Sequence, residues 1–383
     1  MYKKRAVLPV TVKINITILV APLDWGLGHA TRCIPIIKYL LQIGCKVIIA
    51  AEGAQEKLLK TEFPLLRFVH LPGYRVQYAS DKRFFPVKII AQLPKILFFI
   101  NKEKKWLKNF IATNNIDAVI SDNRYGLYNN KVKSIFITHQ LLVKAPFAWV
   151  EKTLQFFNYR QIAKFHACWV PDLQGKPNLA GELSHPGKFP AVKTEYLGGI
   201  SRFRKIDSND FTFDLLIVIS GPEPQRTILE KKLLNQLKAF KGRAMVVRGL
   251  PHSSETLLSS QRIGIKNHLN AEELQKCFSK SNMVISRSGY TTVMDICKLQ
   301  KNAILIPTPG QTEQEYLAKH LETQGWCMAA SQDDFLLDEQ LLKAQNFIFR
   351  LPEMEMEEYK IVLHRFVQSL LFTRDTEAKG RKG

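Results

Sequence analysis

"INITILVAPLDWGLGHATRCIPIIKYLLQIGCKVIIA", residues 14–50, sets a strand, a glycine loop, a helix and a second strand in a row. Ile16–Ala21 is an apolar run of strand length. Thr31–Ile43 carries Ile34, Ile37, Leu40 and Leu41 at helical spacing, and Gly44 closes it. Pro35 lacks an N–H, which predicts a late or kinked helix start. Lys46–Ala51 is the next strand, so the stretch is one βαβ unit with parallel strands. Its loop holds Gly26 and Gly28 before a helix N-terminus, a place that favours phosphate. A dinucleotide fingerprint would put a third glycine where Thr31 stands, while Glu52 supplies the acid after the second strand. The match is partial. His29, directly after Gly28, suits acid–base chemistry at a strand end, and equally a cap of the following helix or a cationic contact to phosphate.

The same alternation continues outward. Arg67–Leu71, Ala118–Ser121, Ser134–Thr138 and Ala167–Val170 are short strand candidates between helical stretches. "YLGGISRF", 196–203, ends the first half, and the polar "RKIDSNDF" reads as a linker. The second half starts again with a strand, "DLLIVIS", 214–220, followed by a helix over Thr227–Phe240. Strands at Ala244–Arg248, Met283–Ser286 and Ala303–Pro307 follow, and Asp333-Asp334 reads as a helix start. The expected fold is α/β: two Rossmann-like, doubly wound parallel-sheet domains facing a cleft. The expected units are an acceptor-binding domain over 1–203, a donor domain over 213–350, an amphipathic helix over 353–372 and a mobile charged tail over 373–383.

The 383 residues suit two cores, and 46% hydrophobic with 23% charged residues is a globular composition. A formal net charge of +21 asks for an anionic partner. No nucleic-acid-binding module accompanies that charge, so nucleic acid is not the expected partner. Cys33, Cys45, Cys168, Cys277, Cys297 and Cys327 form no C-x-x-C pair and read as small core residues of a reducing compartment. The basic N-terminus mimics a signal peptide, but Lys13 and Asn15 interrupt its apolar stretch, so a cytoplasmic chain is expected. No run of 18 apolar residues provides a membrane span. "KRFFPVKIIAQLPKILFFINKEKKWLK", 82–108, and "VKAPFAWVEKTLQFFNYRQIAKF", 143–165, mix aromatics with cations, a texture that suits an anionic membrane interface. An ordinary core helix with a basic outer face has the same pattern.

Two stretches of the second half carry the strongest chemistry. "VISRSGYTTVMDICKL", 284–299, breaks a strand at Arg-Ser-Gly and starts a helix with Ser288, Gly289, Thr291 and Thr292. Free backbone amides and the helix dipole there favour a diphosphate, and glycine lets it approach. Asp295, one turn on, has the reach to hold ribose hydroxyls. Helix caps and a solvated acid would look the same. "PTPGQTEQEYLA", 307–318, opens a loop and crowds Gln311, Glu313, Gln314 and Glu315 at a helix start, groups that suit sugar hydroxyls or simply complement the helix dipole.

Together "SRSGYTTVMDI" and "PTPGQTEQEYLA" resemble the donor-binding signature of glycosyltransferase family 28, and "DWGLGHATRCIPI" resembles that family's N-terminal glycine loop. The family includes cell-wall N-acetylglucosaminyltransferases and the plastid galactolipid synthases. The resemblance implies the two-domain GT-B fold and an inverting transfer of a sugar, such as N-acetylglucosamine, from a UDP-sugar, with no cofactor besides that donor. No Asp-x-Asp pair followed by a sensible ligand set stands in the sequence, so a helix N-terminus, hydroxyls and arginines are expected in place of a metal. It implies that Ser288, Gly289 and Thr291 hold the diphosphate. Asp295 stands where the family usually has a glutamate for the ribose, and Glu315 where a glutamine is common beside the sugar-binding Gln314. "SGPEPQR", 220–226, matches the glycine turn of the donor domain, with Arg226 toward a phosphate. Gly26 and Gly28 form the acceptor loop.

Transfer needs a base near the acceptor hydroxyl. His29 is the first candidate. Asp122, at the end of "VISD", orients it or is the base itself, and His139 in "FITHQ" ranks third. The expected partners are a nucleotide sugar, a lipid-linked or glycan acceptor and an anionic membrane surface, with the chain peripheral on the inner face of the plasma membrane. Competing readings are a UDP-N-acetylglucosamine 2-epimerase, a nucleotide-sugar-binding protein without turnover, and a nicotinamide or flavin protein.

Overall fold

The first sheet grows around the strand that opens the 14–50 unit. Its strands are β1 (Thr17–Pro22), β2 (Lys46–Ala51), β3 (Arg67–His70), β4 (Ala118–Asp122), β5 (Lys133–Ile137), β6 (Ala167–Val170) and β7 (Lys193–Tyr196). They run in the order β3-β2-β1-β4-β5-β6-β7, and every pair is parallel. The inner strands are apolar on both faces because helices cover both sides. The second sheet holds β8 (Phe213–Val218), β9 (Ala244–Val247), β10 (Ile263–Lys266), β11 (Ser281–Ser286), β12 (Asn302–Leu305) and β13 (Met328–Ala329). Its order, β10-β9-β8-β11-β12-β13, is again all parallel. This is the expected doubly wound α/β architecture. The computed structural model describes residues 14–74, 92–145, 147–205, 211–251, 253–354 and 356–380.

The helices are α1 (Leu27–Gln42), α2 (Gly53–Glu62), α3 (Leu93–Thr113), α4 (Ala148–Ile162), α5 (Gln225–Leu237), α6 (Ala271–Ser279), α7 (Tyr290–Leu299), α8 (Thr312–Thr323), α9 (Leu337–Asn346) and α10 (Glu358–Gly380). In each sheet the winding direction reverses once: between β1 and β4, and between β8 and β11. Crevices at such switch points, at the carboxyl ends of the strands, are where ligands of these folds bind. His29 follows β1 and Asp122 ends β4. Gly221 follows β8 and Ser288 follows β11. Topology therefore gathers each pair from distant sequence.

Several boundaries differ from the expectation. α1 begins at Leu27, not near Thr31, and continues through Pro35. Gly26, at φ 82, turns the chain so that the helix starts without a side-chain cap. The edge strands β7, β10 and β13 have no counterpart in the sequence reading; they are two to four residues long, and β7 and β10 have no fully buried residue. Asp333 and Asp334 form a turn, and α9 starts only at Leu337. The last helix starts at Glu358 and runs through the expected mobile tail to Gly380. Arg374 anchors it by donating to the Asn15 carbonyl and lying 3.7 Å from Asp117. α10 lies on the first domain: Tyr359 meets Tyr39 edge-on, and Phe366 meets Trp169. One apolar cluster joins Ile34 and Ile37 of α1 to Val293 and Met294 of α7 and to Leu363 of α10. All six cysteines are free and five are buried, in line with their reading as core residues.

Candidate active site

His29 lies in the first turn of α1, so its side chain is aimed by a helix and not by a mobile loop. Its Nδ1 is 2.8 Å from Asp122 Oδ1. Asp122 is fully buried, and the Arg32 Nε donates to its Oδ2 at 2.9 Å while Nη2 donates to Oδ1. Burial alone would push this carboxyl up; the Arg32 guanidinium and His29 hold it well below the usual carboxylate range. An ionised Asp122 accepts, so His29 Nδ1 carries the proton and Nε2 keeps a lone pair. The structure thus brings His29 and Asp122, the two expected catalytic residues, together.

Arg32 and His139 extend the cluster. Arg32 is 1% exposed and its Nη1 donates to His139 Nδ1 at 3.2 Å. The other nitrogen of His139, Nε2, lies 2.6 Å from Oε1 of Glu313, on α8 of the second domain. Burial holds His139 below its ordinary value, against the pull of Glu313. Burial pushes Glu313 up, but His139, His29 and Arg32 bring it below the ordinary carboxylate value. A neutral His139 therefore donates from Nε2 to an ionised Glu313.

The second domain meets this cluster directly. Thr291 Oγ1, in the first turn of α7, donates to the carbonyl of Gly28 at 3.1 Å. Ser288 Oγ donates to the Gln314 carbonyl at 2.8 Å and ties the start of α7 to α8. Neither side chain caps α7. Gly289 is its N-cap, and a Cβ there would meet nothing within 4 Å, so the space before the free amides is open. Gln311 stands at the N-cap of α8 with no side-chain cap bond. Gln314 accepts from the Thr308 amide and Glu315 from the Gly310 amide, both at 2.9 Å. These two side chains shape the loop that the sequence reading assigned to the sugar. Gly26 accepts from Gln55 through its carbonyl.

Two expected donor ligands are committed elsewhere. Arg226 is buried and bonds Glu223, Glu230 and the Arg248 carbonyl, so its charge is spent inside α5 and β9 and not on a phosphate. Asp295 is 5% exposed; its Oδ1 accepts from Ser201 at 2.6 Å and Oδ2 lies 3.9 Å from Arg202. Burial pushes its carboxyl up to about 6, with Arg202 and Ser201 opposing. The folded protein thus keeps this proton to about pH 6, whereas an unfolded chain releases it near pH 4. Stability contributed here is present below roughly pH 4 and lost as pH rises through the folded value. Relative to Asp295→Asn, the wild type should lose about 3 kcal/mol between pH 4 and pH 7, read from urea melts across that range. Parallel pH profiles would contradict the assignment.

Arg287, like Arg32, is a residue to which the sequence reading gave no role. It is fully buried, and its guanidinium bonds the carbonyls of Ile306, Pro307 and Gln225 and the Gln332 amide oxygen. Among these partners there is no carboxylate, and burial lowers its pKa to about 10. Its Nε and the Thr308 Oγ1 are buried without a hydrogen-bond partner. Gly221, at φ +106, covers both: a Cβ there would stand 3.4 Å from Thr308 Oγ1 and 3.7 Å from Arg287 Nε. An uncompensated buried cation beside the N-terminus of α7 makes the carboxyl ends of β8, β11 and β12 an anion-accepting region. The only signal for it in the sequence is a charged residue inside "VISRSG" at a strand end.

The aromatic–cationic stretches are placed in part. Phe84, Phe85, Ile89 and Ile90 lie outside the described residues. α3 exposes Leu97 and Phe98; the segment entering and forming α4 exposes Phe147, Trp149 and Phe156. Ile96 and Ile100 of α3 share a cluster with Leu23, Trp25 and the α4 residue Phe157, which puts both helices beside the loop after β1. Lys102, Lys104, Lys105, Lys108, Lys152 and Arg160 are exposed on the same helices. Among the described residues no helix is long and apolar enough to cross a membrane.

Residues 258–366 match the glycosyltransferase family 28 C-terminal domain. A curated relative is the UDP-N-acetylglucosamine–N-acetylmuramyl-(pentapeptide) pyrophosphoryl-undecaprenol N-acetylglucosamine transferase of Methylobacterium radiotolerans. It is 25% identical over 179 residues, which are 43% of this chain and 46% of the relative. The match thus spans about half the length of that relative. Among solved structures, Acinetobacter baumannii MurG has a TM-score of 0.52 at 14% identity, covering 93% of this chain and 99% of that one. A UDP-glucosyltransferase from Polygonum tinctorium has a TM-score of 0.55 at 12% identity, with 94% of each chain covered. SnogD from Streptomyces nogalater has a TM-score of 0.55 at 10% identity, over 94% of this chain and 100% of that one. These likenesses establish the fold across both domains.

Proposed function

From a chain that belongs to glycosyltransferase family 28 through its C-terminal domain, we propose an inverting glycosyl transfer from a UDP-sugar to an acceptor hydroxyl. The observation that carries this reading is the contact between Gly28 and Thr291. It sets the residue next to His29 against the open first turn of α7. A base and an anion-accepting helix end then face one reacting centre. In the proposed step His29 Nε2 takes the acceptor O–H proton as that oxygen attacks the anomeric carbon. The bond from that carbon to the diphosphate oxygen breaks, and its electron pair leaves on the diphosphate. The α7 amides and the positive potential around Arg287 stabilise the growing charge, so no metal is required. Ser288, Gly289 and Thr291 border the diphosphate, and Gln311 stands at the start of α8 with no side-chain cap bond. A ribose reaches Asp295 only by displacing Ser201.

Calorimetry with UDP, UDP-N-acetylglucosamine, UDP-glucose, GDP-mannose and NAD, with magnesium or EDTA, tests the donor half. UDP and a UDP-sugar should bind alike in both buffers; binding of NAD alone would overturn the reading. UDP binding with no turnover on any lipid or glycan hydroxyl would leave a nucleotide-sugar-binding protein.

The acceptor is proposed to be lipid-linked and presented at the anionic inner face of the plasma membrane. Supporting this are the exposed aromatics and lysines of α3 and α4 beside the acceptor loop. The chain should float with phosphatidylglycerol vesicles and not with phosphatidylcholine vesicles, and Trp149→Glu with Phe156→Glu should abolish flotation. Equal flotation of that variant would remove the surface from the proposal.

A further inference from the structure

We propose that Glu313, carried by the donor domain, is a positioning residue that supplies the negative charge His29 needs when it takes a proton. This rests on the transfer reading above. Asp122 is the obvious counter-ion of His29, yet both its oxygens are already taken by Arg32. Arg32 and Asp122 cancel. His139 is neutral, between Arg32 on one nitrogen and Glu313 on the other. The remaining net charge of the cluster is the Glu313 carboxylate. When His29 becomes an imidazolium, that charge balances it.

The charged and titratable groups around His29 come from several elements. Arg32 lies on α1, Asp122 on β4, His139 after β5 and Glu313 on α8. Of the two domains, only the donor domain brings the unbalanced anion. Its arrival is geometrically exacting. Glu313 Oε1 meets His139 Nε2 at 2.6 Å across 174 residues of sequence. The His139 ring is stacked on Tyr290, centroids 4.1 Å apart and planes 6° apart. Tyr290 in turn donates to the Pro171 carbonyl at 2.8 Å. His139, Arg32, Asp122 and His29 all belong to the first domain, and Glu313 joins them only when the domains are closed on each other. Opening withdraws the carboxylate and leaves Arg32 paired to Asp122, so an open enzyme lacks the charge that balances the imidazolium and holds a weaker base. This links proton removal from the acceptor to the presence of the donor domain.

Glu313→Gln keeps the shape and removes the charge. The acid limb of its kcat/KM profile should move down by more than half a pH unit, with kcat at pH 7.5 falling about tenfold and UDP affinity within twofold of wild type. Glu313→Asp should recover part of the shift. A lowered kcat with an unmoved acid limb would overturn the proposal in favour of a sugar contact, and an unchanged enzyme would overturn it outright. The ring titration of His29, followed by NMR with labelled histidine and identified by loss of the signal in His29→Gln, reads the same charge without turnover. Its midpoint should fall in Glu313→Gln. If the midpoint falls but no UDP-sugar is turned over, the transfer reading fails and the charge linkage stands. If transfer proceeds and the midpoint stays, the linkage fails alone.

Discussion

His29→Ala should lower kcat by about a thousandfold while UDP binding stays within twofold of wild type. The ring has a nitrogen free to take a proton: Nδ1 is committed to Asp122, which leaves Nε2 its lone pair. The side chain is 16% exposed, and its removal opens space at the cleft wall without leaving a core cavity. Stability should therefore move by less than about 1 kcal/mol. Stopped assays at saturating UDP-sugar, beside calorimetry of UDP alone, separate the two quantities. A parallel loss of both would show that His29 holds the donor and takes no proton.

Asp122→Ala should abolish turnover and also destabilise the chain by about 3–5 kcal/mol, the cost of leaving a buried cation alone. Arg32 is 1% exposed, and Asp122 is its carboxylate partner. For a domain of this size the melting temperature should fall by roughly 10 °C. The wild-type pair has a definite pH signature. A depressed carboxylate contributes stability above the ordinary value near pH 4, and that stability is lost as pH falls toward the folded value. The double variant Asp122→Leu with Arg32→Met should recover most of the stability and none of the activity, because apolar residues of similar size replace the pair without burying an unmatched charge. A stable, active Asp122→Ala protein would dismiss both roles.

The strand–helix alternation was legible because inner parallel strands must be apolar on both faces, and runs such as "TILVAP" and "NMVIS" announce that directly. The edges were not. β7 is "KTEY" and β10 is "IGIK", and nothing in such tetrapeptides separates a strand from a loop until a neighbour supplies the hydrogen bonds. The start of α1 was hidden for a related reason. The local rules look for a polar cap, whereas Gly26 starts the helix by its backbone conformation alone. His29 and Asp122 were both visible as polar residues at strand ends, and the switch-point rule suffices to bring such ends together.

What the sequence by itself determined is the set of parts: two doubly wound sheets, a glycine loop ending in histidine, and a helix N-terminus open to an anion. Tertiary structure alone decided how charge is distributed among them. Arg226 and Arg287 look alike in sequence, but the first is neutralised by Glu223 and Glu230 and the second is buried among carbonyls. Asp295 is sealed against Ser201, and Glu313, one of four similar side chains at a helix start, is the one that crosses to His139. The reason is physical. Periodicity and propensity act over a few residues, whereas a pairing across 174 residues is set by the closure of two rigid sheets on each other, and no local pattern encodes that distance.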